Sequence, residues 1–498
     1  MENNDIFRYA TPESVGIPSA RIEHLFRKLV HRRFLSHSLV VIRHGKIIGE
    51  GYFAPFQKND FHRMYSTSKT FVATAIGMLI GEGKLSLDSR VIDFFPEKVN
   101  ENTSPYLKEA TIRDLLTMAT PYAGVTYSPD RDDWVDSFFT TPTEHAPGCH
   151  FKYDTAGSFI LDVIVEKLTG KPFMDYLYDV LLKKTGFSEG VWCVNSPDGY
   201  SWGGSGVQCT TLDLARLGQI YLNKGMVNGE QLLPRWYAEE AVSRQIDNNT
   251  DGTPNVRNGW GYGYQIWCMQ DGGFTFWGMG GQVVLAFPRL DLMLVATSDM
   301  QGCDIEDYQL AELFYNDLIE RIDEAGNPDT LPEDPAAYAS LKEYTAHLSC
   351  PVTVLGEKNS PVEKEYFGKT FTMDKNPMGI ETLRFEREGD RGAMFYRARG
   401  EEKKIVFGMG EYVIDTFPET SYFGKQIRTP KGEGYRCMTA ALWAQENKFC
   451  LRCYLIDDYF GNMMATFTFK NGEVIVFMRK TAEWFLDEYE GTAVGKMA

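Results

Sequence analysis

A hydroxyl and an amine three residues apart, Ser66 and Lys69, stand at the head of the apolar run Phe71-Val72-Ala73-Thr74-Ala75-Ile76-Gly77-Met78-Leu79-Ile80. The run is rich in helix formers and ends at Gly81-Glu82-Gly83. It is too short to cross a bilayer, so it predicts a buried helix. Positions i and i+3 share a helix face, so both side chains would point into one space. A serine attacks a carbonyl only after a base has taken its proton, and a lysine whose pKa is lowered by burial can be that base. The helix start adds free N–H groups and partial positive charge where an oxyanion would form. Both residue types are common, so the spacing alone is a weak signal. It is the only Ser-x-x-Lys in the sequence, and the apolar run would carry Lys69 inward, where lysine is rarely found without a reason.

Such a pair needs a group that passes the proton to the leaving atom. Tyr153, 87 residues after Ser66, sits in the turn Pro147-Gly148-Cys149-His150-Phe151-Lys152-Tyr153-Asp154-Thr155. A phenol held near a lysine can exchange protons with a bound substrate. Other chemistries find little support. No Gly-x-Ser-x-Gly elbow occurs, which disfavours a Ser-His-Asp esterase, and the eight histidines form neither His-x-His nor His-Glu-x-x-His, which disfavours a metal hydrolase. Gly203-Gly204-Ser205-Gly206 matches neither a P-loop nor a dinucleotide fingerprint and predicts a tight turn. No cofactor and no metal are expected.

The elements that must position these groups follow from pattern. A helix is expected over Ser19 to Arg32, then strands Ser38 to Arg43 and Lys46 to Tyr52 around the turn His44-Gly45. Thr111 caps a short helix over 111–118, and Pro121 to Gly148 reads as a long irregular excursion, often functional in compact domains. Helices are predicted from Ala156 to Leu168, closed by Thr169-Gly170, and after Thr210, over Thr211 to Leu217. Strands are predicted at Tyr262 to Met269, Phe274 to Trp277, Gly281 to Phe287 and Leu292 to Thr297, and a helix around Glu306 to Ile322. Asp323 to Pro335, rich in Asp, Glu, Pro and Gly, reads as a linker. Beyond it lie candidate strands Lys404 to Phe407, Met438 to Ala444, Phe449 to Ile456, Met464 to Phe469 and Glu473 to Met478, with a hairpin turn at Asn471-Gly472. The expected organisation is therefore a hydrolase domain over 1–325, a linker over 326–337 and a β-rich domain over 338–498, barrel or sandwich.

With 498 residues the chain can bury two or three cores, and 51 basic against 68 acidic residues give a net charge of −17. That balance argues against nucleic acid and anionic membrane surfaces and fits a small-molecule substrate; it leaves a homodimer open. The polar, acidic start Met1-Glu2-Asn3-Asn4-Asp5 shows no signal peptide, and no segment is long and apolar enough to span a membrane. Nine cysteines, of which the closest pair Cys450 and Cys453 stands alone, read as reduced thiols, so a cytoplasmic location is expected.

Taken in order, Ser66-Thr67-Ser68-Lys69, Gly81-Glu82-Gly83-Lys84-Leu85-Ser86-Leu87-Asp88, Thr111-Ile112-Arg113-Asp114-Leu115-Leu116, Pro147-Gly148, Tyr153-Asp154-Thr155 and Gly204-Ser205-Gly206 with Asp213-Leu214-Ala215-Arg216 resemble the serine β-lactamase and penicillin-binding superfamily, from about Glu13 to Ile322. The class C-like branch, with its carboxylesterases, D-amino-acid peptidases and amide-dimer hydrolases, is the most similar. The resemblance implies an α/β (α+β) fold, an antiparallel sheet flanked by helices plus an all-helical subregion. It implies Ser66 as acylated nucleophile, with Lys69 and Tyr153 as general acid–base pair. The third family motif falls in the register Phe276-Trp277-Gly278, before Met279-Gly280-Gly281-Gln282, so the oxyanion hole would be the backbone N–H groups of Ser66 and Met279. Gly278 would let substrate approach the strand closely.

Two positions depart from the family pattern. Thr155 stands where Asn is usual, and Phe276 where Lys or His is usual, which removes the cation expected to hold a substrate carboxylate. A neutral ester or amide is therefore the expected substrate, rather than a β-lactam or a D-amino-acid peptide. Trp277, Tyr122, Tyr127 and Trp134 are candidates to line an apolar acyl pocket, core packing being the alternative. The competing reading is a non-catalytic, penicillin-binding-like protein that acylates without turnover. For the C-terminal domain a stability or dimerisation module is favoured over a lid.

Overall fold

The computed structural model describes residues 5–128, 131–249, 259–302, 308–419, 435–456, 460–481 and 486–498. It divides into two compact units, Met1–Met300 with Asp304–Cys350, and Gln301–Cys303 with Pro351–Ala498.

Among the described residues of the first unit, seven strands form one sheet in the order Arg8–Tyr9, Lys46–Tyr52, Ser36–Arg43, Leu292–Ser298, Gln282–Phe287, Phe274–Gly278 and Trp267–Cys268. Every neighbouring pair is antiparallel except Arg8–Tyr9 with Lys46–Tyr52. The first hairpin pairs Arg43 with Lys46, and its turn residues His44 and Gly45 have φ of 52° and 66°, the left-handed pair that suits the strand twist.

Helices cover the sheet. Ser19–His31 lies against Pro335–Ala346, with the Arg27 guanidinium 4.0 Å from the centre of the Tyr344 ring. Thr211–Leu222 is tied to the sheet by Ser38 Oγ, 2.6 Å from Thr211 Oγ1. A helical subregion holds Ser68–Gly81, Thr155–Thr169 and Phe173–Val180. The Ser68–Gly81 helix is buried on all sides from Ser68 to Leu79, as an apolar run without a polar stripe must be. Thr111 and Asp114 form a reciprocal capping box, as do Thr210 and Asp213.

Three elements differ from the sequence expectation. Of Tyr262 to Met269 only Trp267–Cys268 is strand, because Gln265 is left-handed at φ 59° and its side chain donates to the carbonyls of Leu115 at 2.8 Å and Leu116 at 3.1 Å. The excursion from Pro121 to Gly148 contains a helix, Trp134–Thr140, capped by Asp133. The helix expected over Glu306 to Ile322 runs as Tyr308–Phe314, a π-turn Tyr315–Ile319 and Glu320–Glu324; residues 306 and 307 lie outside the described residues. A further helix, Pro335–Ala346, starts at the Asp334 cap, after the acidic and Pro-rich stretch.

The second unit is a closed barrel. Among the described residues its strands run in the order Glu401–Met409, Arg391–Ala398, Ile380–Glu388, Thr370–Met373, Gly491–Met497, Glu473–Thr481, Phe460–Lys470, Lys448–Ile456 and Tyr435–Gln445. Pairing of Gly408 with Ala440 and Met409 with Ala441 joins the last to the first, and Val413–Phe417 adds beside Tyr435–Gln445. Asn471 and Gly472, at φ 54° and 77°, make the expected tight hairpin turn between Lys470 and Glu473. Aromatic rings such as Phe385, Phe449 and Phe467 fill the interior, so the barrel is packed rather than open. No helix among the described residues is long and apolar enough to cross a membrane.

Candidate active site

Ser66 lies in the single turn Tyr65–Thr67 that leads into the Ser68–Gly81 helix. The preceding residue, Tyr65, holds φ 46° with its ring buried, a strained conformation for a bulky side chain. Its surroundings enforce it. The Arg63 guanidinium sits 4.4 Å from the Tyr65 ring centre and donates to the Ser205 carbonyl at 3.1 Å. Met64 N donates to Val207 O at 2.8 Å, and Thr67 Oγ1 to Gln282 O at 2.9 Å.

Lys69 is 1% exposed. Its Nζ lies 3.1 Å from Ser66 Oγ and donates to the Gly204 carbonyl at 2.7 Å. The same Nζ is 5.0 Å from the centre of the Tyr153 ring, so three sequence-predicted residues converge. Tyr153 is held by rings: it stacks on Trp267 at 5.4 Å and 21°, with Tyr262 edge-on at 6.5 Å. Phe151 packs on the same Tyr262 and Trp267.

Asp154 and Thr155 begin the next helix. The buried Asp154 carboxylate accepts from Ala156 N at 2.8 Å, Gly157 N at 3.2 Å and Thr120 Oγ1 at 3.1 Å. Burial pushes its pKa up to about 6, against the pull of these hydrogen bonds and of the Lys69 charge. Thr155 packs on the glycine loop: a Cβ built on Gly204 would lie 2.5 Å from Thr155 Cγ2. Gly203–Gly206 is thus a tight turn, with Ser205 N and Gly206 N both donating to Trp202 O, at 2.9 and 2.7 Å. Gly203 and Gly204 serve close approach of neighbouring helices, and Gly206 that of Cys193 and Val194.

The third motif is placed differently from its expected role. Phe276 is fully buried against Tyr221, at 5.7 Å, and Phe274, which makes it a core side chain rather than a substrate contact. Trp277 is also buried. Gly278 is required, but its missing side chain is replaced by the protein itself: a Cβ there would meet Met64 O at 2.3 Å and Thr67 Oγ1 at 3.0 Å. The glycine therefore lets the serine turn approach the strand. Met279 follows at 37% exposure, carried beside that turn by the same close contact.

The loop aromatics pack on one another. Tyr127 stacks on Trp134 at 4.0 Å, Trp202 Nε1 donates to Tyr127 OH at 2.9 Å, and the Tyr122 hydroxyl donates to Phe138 O. Tyr122, Tyr127 and Trp134 are all buried, which favours core over pocket lining. Among the described residues no group of three or more His, Cys, Asp and Glu side chains is placed to hold a metal ion.

Sequence reasoning passed over the Gly204 carbonyl, a backbone atom with no residue signature, and Trp267, one aromatic among many. Asp162 carried a signal that went unused: it interrupts the apolar run Phe159-Ile160-Leu161-Asp162-Val163-Ile164-Val165.

Known proteins are similar to this chain in sequence and fold. A 6-aminohexanoate-dimer hydrolase of Paenarthrobacter ureafaciens is 26% identical over 319 residues, 59% of this chain and 81% of the relative. Esterase EstB of Burkholderia gladioli is 27% identical over 185 residues, 31% of this chain and 46% of the relative. Among solved structures, a penicillin-binding protein homologue from Caulobacter crescentus superposes with a TM-score of 0.51 at 16% identity, covering 62% of this chain and 99% of that one, which supports the fold. The family model for beta-lactamase matches residues 22–311, more than half of the sequence, and the chain therefore belongs to the beta-lactamase family.

Proposed function

We propose that this protein is a serine hydrolase that cleaves a small, neutral ester or amide through an acyl-enzyme on Ser66. Lys69, neutral when it acts, takes the Ser66 proton as Oγ bonds to the substrate carbonyl carbon. The backbone N–H groups of Ser66 and Met279 hold the developing oxyanion. Tyr153, together with Lys69, returns the proton to the leaving oxygen or nitrogen. Water then attacks the acyl carbon by the reverse route and frees Ser66.

The observation that carries this reading is the buried Lys69 amine, 3.1 Å from Ser66 Oγ and fixed by the Gly204 carbonyl at 2.7 Å. An amine so buried is costly unless it does work. The preference for a neutral substrate is supported by Phe276, which offers no cation for a carboxylate, and the hydrolase reading by relatives named as a 6-aminohexanoate-dimer hydrolase and an esterase.

Intact mass after exposure to a fluorophosphonate, with short-chain p-nitrophenyl ester hydrolysis in parallel, tests the proposal. One adduct and ester turnover are expected in the wild type and neither in Ser66→Ala. A folded wild type that gives neither result would overturn the hydrolase reading. A Ser66 acyl adduct, formed from the ester, that never hydrolyses would favour the non-catalytic binding protein.

A further inference from the structure

We infer that Asp162 is a positioning residue for the reaction proposed above: it holds the backbone of the Gly203–Gly204 turn, through the Gly203 N–H, where the Gly204 carbonyl orients the Lys69 amine toward Ser66. The inference rests on Ser66 and Lys69 doing the chemistry.

Asp162 lies two turns into the Thr155–Thr169 helix and is fully buried. Its Oδ2 accepts the Gly203 N–H at 3.0 Å. The loop is slotted between two helices at that point. A Cβ on Gly203 would lie 2.5 Å from Val72 Cγ2 and 2.8 Å from Asp162 Cβ, and one on Gly204 would meet Thr155 Cγ2 at 2.5 Å and Thr155 O at 3.0 Å. One residue further, the Gly204 carbonyl receives the Lys69 N–H. A neutral amine has one lone pair and two N–H bonds. Engaging one N–H with a fixed carbonyl stops rotation about Cε–Nζ and aims the lone pair at the serine proton. The chain of contacts therefore runs from Asp162 through the backbone of Gly203 and Gly204 to the base.

Asp162 needs only a neutral acceptor to do this. Its other oxygen, Oδ1, is buried without a hydrogen-bond partner. Burial, and the Glu166 and Asp198 carboxylates nearby, push its carboxyl well above the usual range, against the pull of the Gly203 N–H. Glu166, one turn on, holds the preceding part of the loop, accepting from Ser201 Oγ at 2.6 Å and Ser201 N at 3.2 Å. An asparagine would offer Gly203 the same acceptor.

The test measures the acylation rate by fluorophosphonate, per titrated site, in Asp162→Asn, Asp162→Ala and Asp162→Leu, with kcat and KM for an ester. Asp162→Asn should acylate within about twofold of wild type, since acceptor and volume are kept. Asp162→Ala should acylate about 10- to 100-fold more slowly per site, the effect falling on kcat rather than KM. Asp162→Leu keeps the branched shape at a larger volume and removes the acceptor, and should be as slow if the alanine variant does not fold. Three results would overturn the inference: fewer titratable sites but a wild-type rate at each; an asparagine variant as slow as alanine; or misfolding of both apolar variants with a normal asparagine variant, which assigns Asp162 to stability alone. A wild type that forms no adduct would instead overturn the hydrolase reading beneath it.

Discussion

The barrel interior is filled with rings: Phe385 lies 4.7 Å from Phe467, 5.6 Å from Phe449 and 5.2 Å from Phe367. Its strands turn their charges outward, as Ile380–Glu388 does by burying Ile380, Leu383 and Phe385 while exposing Glu381, Glu386 and Glu388. The first unit spends part of its interior differently. It encloses Lys69, Asp154 and Asp162 and keeps Tyr65 left-handed beside Ser66. Buried ionisable groups and strained residues are unfavourable to the fold by themselves and persist only where the surroundings over-determine them. Both are found here around one serine. The difference teaches where to look for chemistry: in the region whose interior is least apolar for its depth.

Two substitutions break the comparison most sharply. Lys69→Ala should lower the rate of ester hydrolysis about 1,000-fold or more, the usual worth of a positioned acid–base group, with Ser66 still present. Steady-state assays on folded protein check this, and a variant within about tenfold of wild type would remove Lys69 from the mechanism. Phe385→Ala, in the barrel, should cost about 3–5 kcal/mol in urea unfolding of the barrel, the range for an emptied aromatic core site. Its acylation rate per titrated site should stay at the wild-type value, and a slowed rate would show that the barrel's packing bears on the chemistry.

Much of this was legible in the sequence because the physics is local. The pair Ser66 and Lys69, the turns His44-Gly45 and Asn471-Gly472, and the caps Thr111 and Thr210 each declare themselves through a few adjacent residues. Strands of the barrel were visible where apolar residues cluster, as in Lys448–Ile456, and invisible where charges alternate with them. Ile380–Glu388 and Arg391–Ala398 belong to the second kind; their low average hydrophobicity hides a regular inward face. The barrel's closure is a long-range pairing that no window of sequence contains. In the site, side-chain partners were readable and backbone partners were not. The Gly204 carbonyl depends on how a loop is wedged between helices. Phe276 was assigned by motif register, and only the packing of Tyr221 on it shows a core residue.

Gly278→Ala sharpens the comparison at intermediate strength. Its new Cβ would sit 2.3 Å from the Met64 carbonyl, so the serine turn must shift to make room. Overpacking of this kind costs about 1–3 kcal/mol, and a displacement of the nucleophile of about 1 Å lowers the rate by up to about 100-fold. Thermal unfolding and acylation rates should both respond. If substrate rather than the turn occupies that space, stability would be unaltered and KM alone would rise.

The smallest expected effect concerns pH. His37 and His62 are buried in the first unit, 5.2 Å apart, with the His37 ring stacked on Phe56 at 3.7 Å. Burial lowers His62 to about 4, opposed by its hydrogen bond with the Asp60 carbonyl, and lowers His37 well below the ordinary range, with the His62 charge adding to it. Both are bases with depressed folded pKa values, so the unfolded chain takes up protons first as pH falls through about 6.5. Their contribution to stability is complete above that pH and is lost progressively between about 6.5 and 4. For His62 the loss is about 1 kcal/mol at pH 5.5. The raised Asp154 has the opposite sign in this window, its contribution fading as pH rises toward about 6, so the bare stability curve mixes the two. The difference between wild type and His62→Gln isolates the histidine. That difference should shift by about 1 kcal/mol in favour of the variant between pH 7.5 and 5.5. Burial pushes Tyr396, Tyr489 and Cys453 of the barrel up, away from this range. The acid response of His62 therefore belongs to the unit that carries the serine, and a pH-independent difference would show that His62 titrates in the folded chain as it does in the unfolded one.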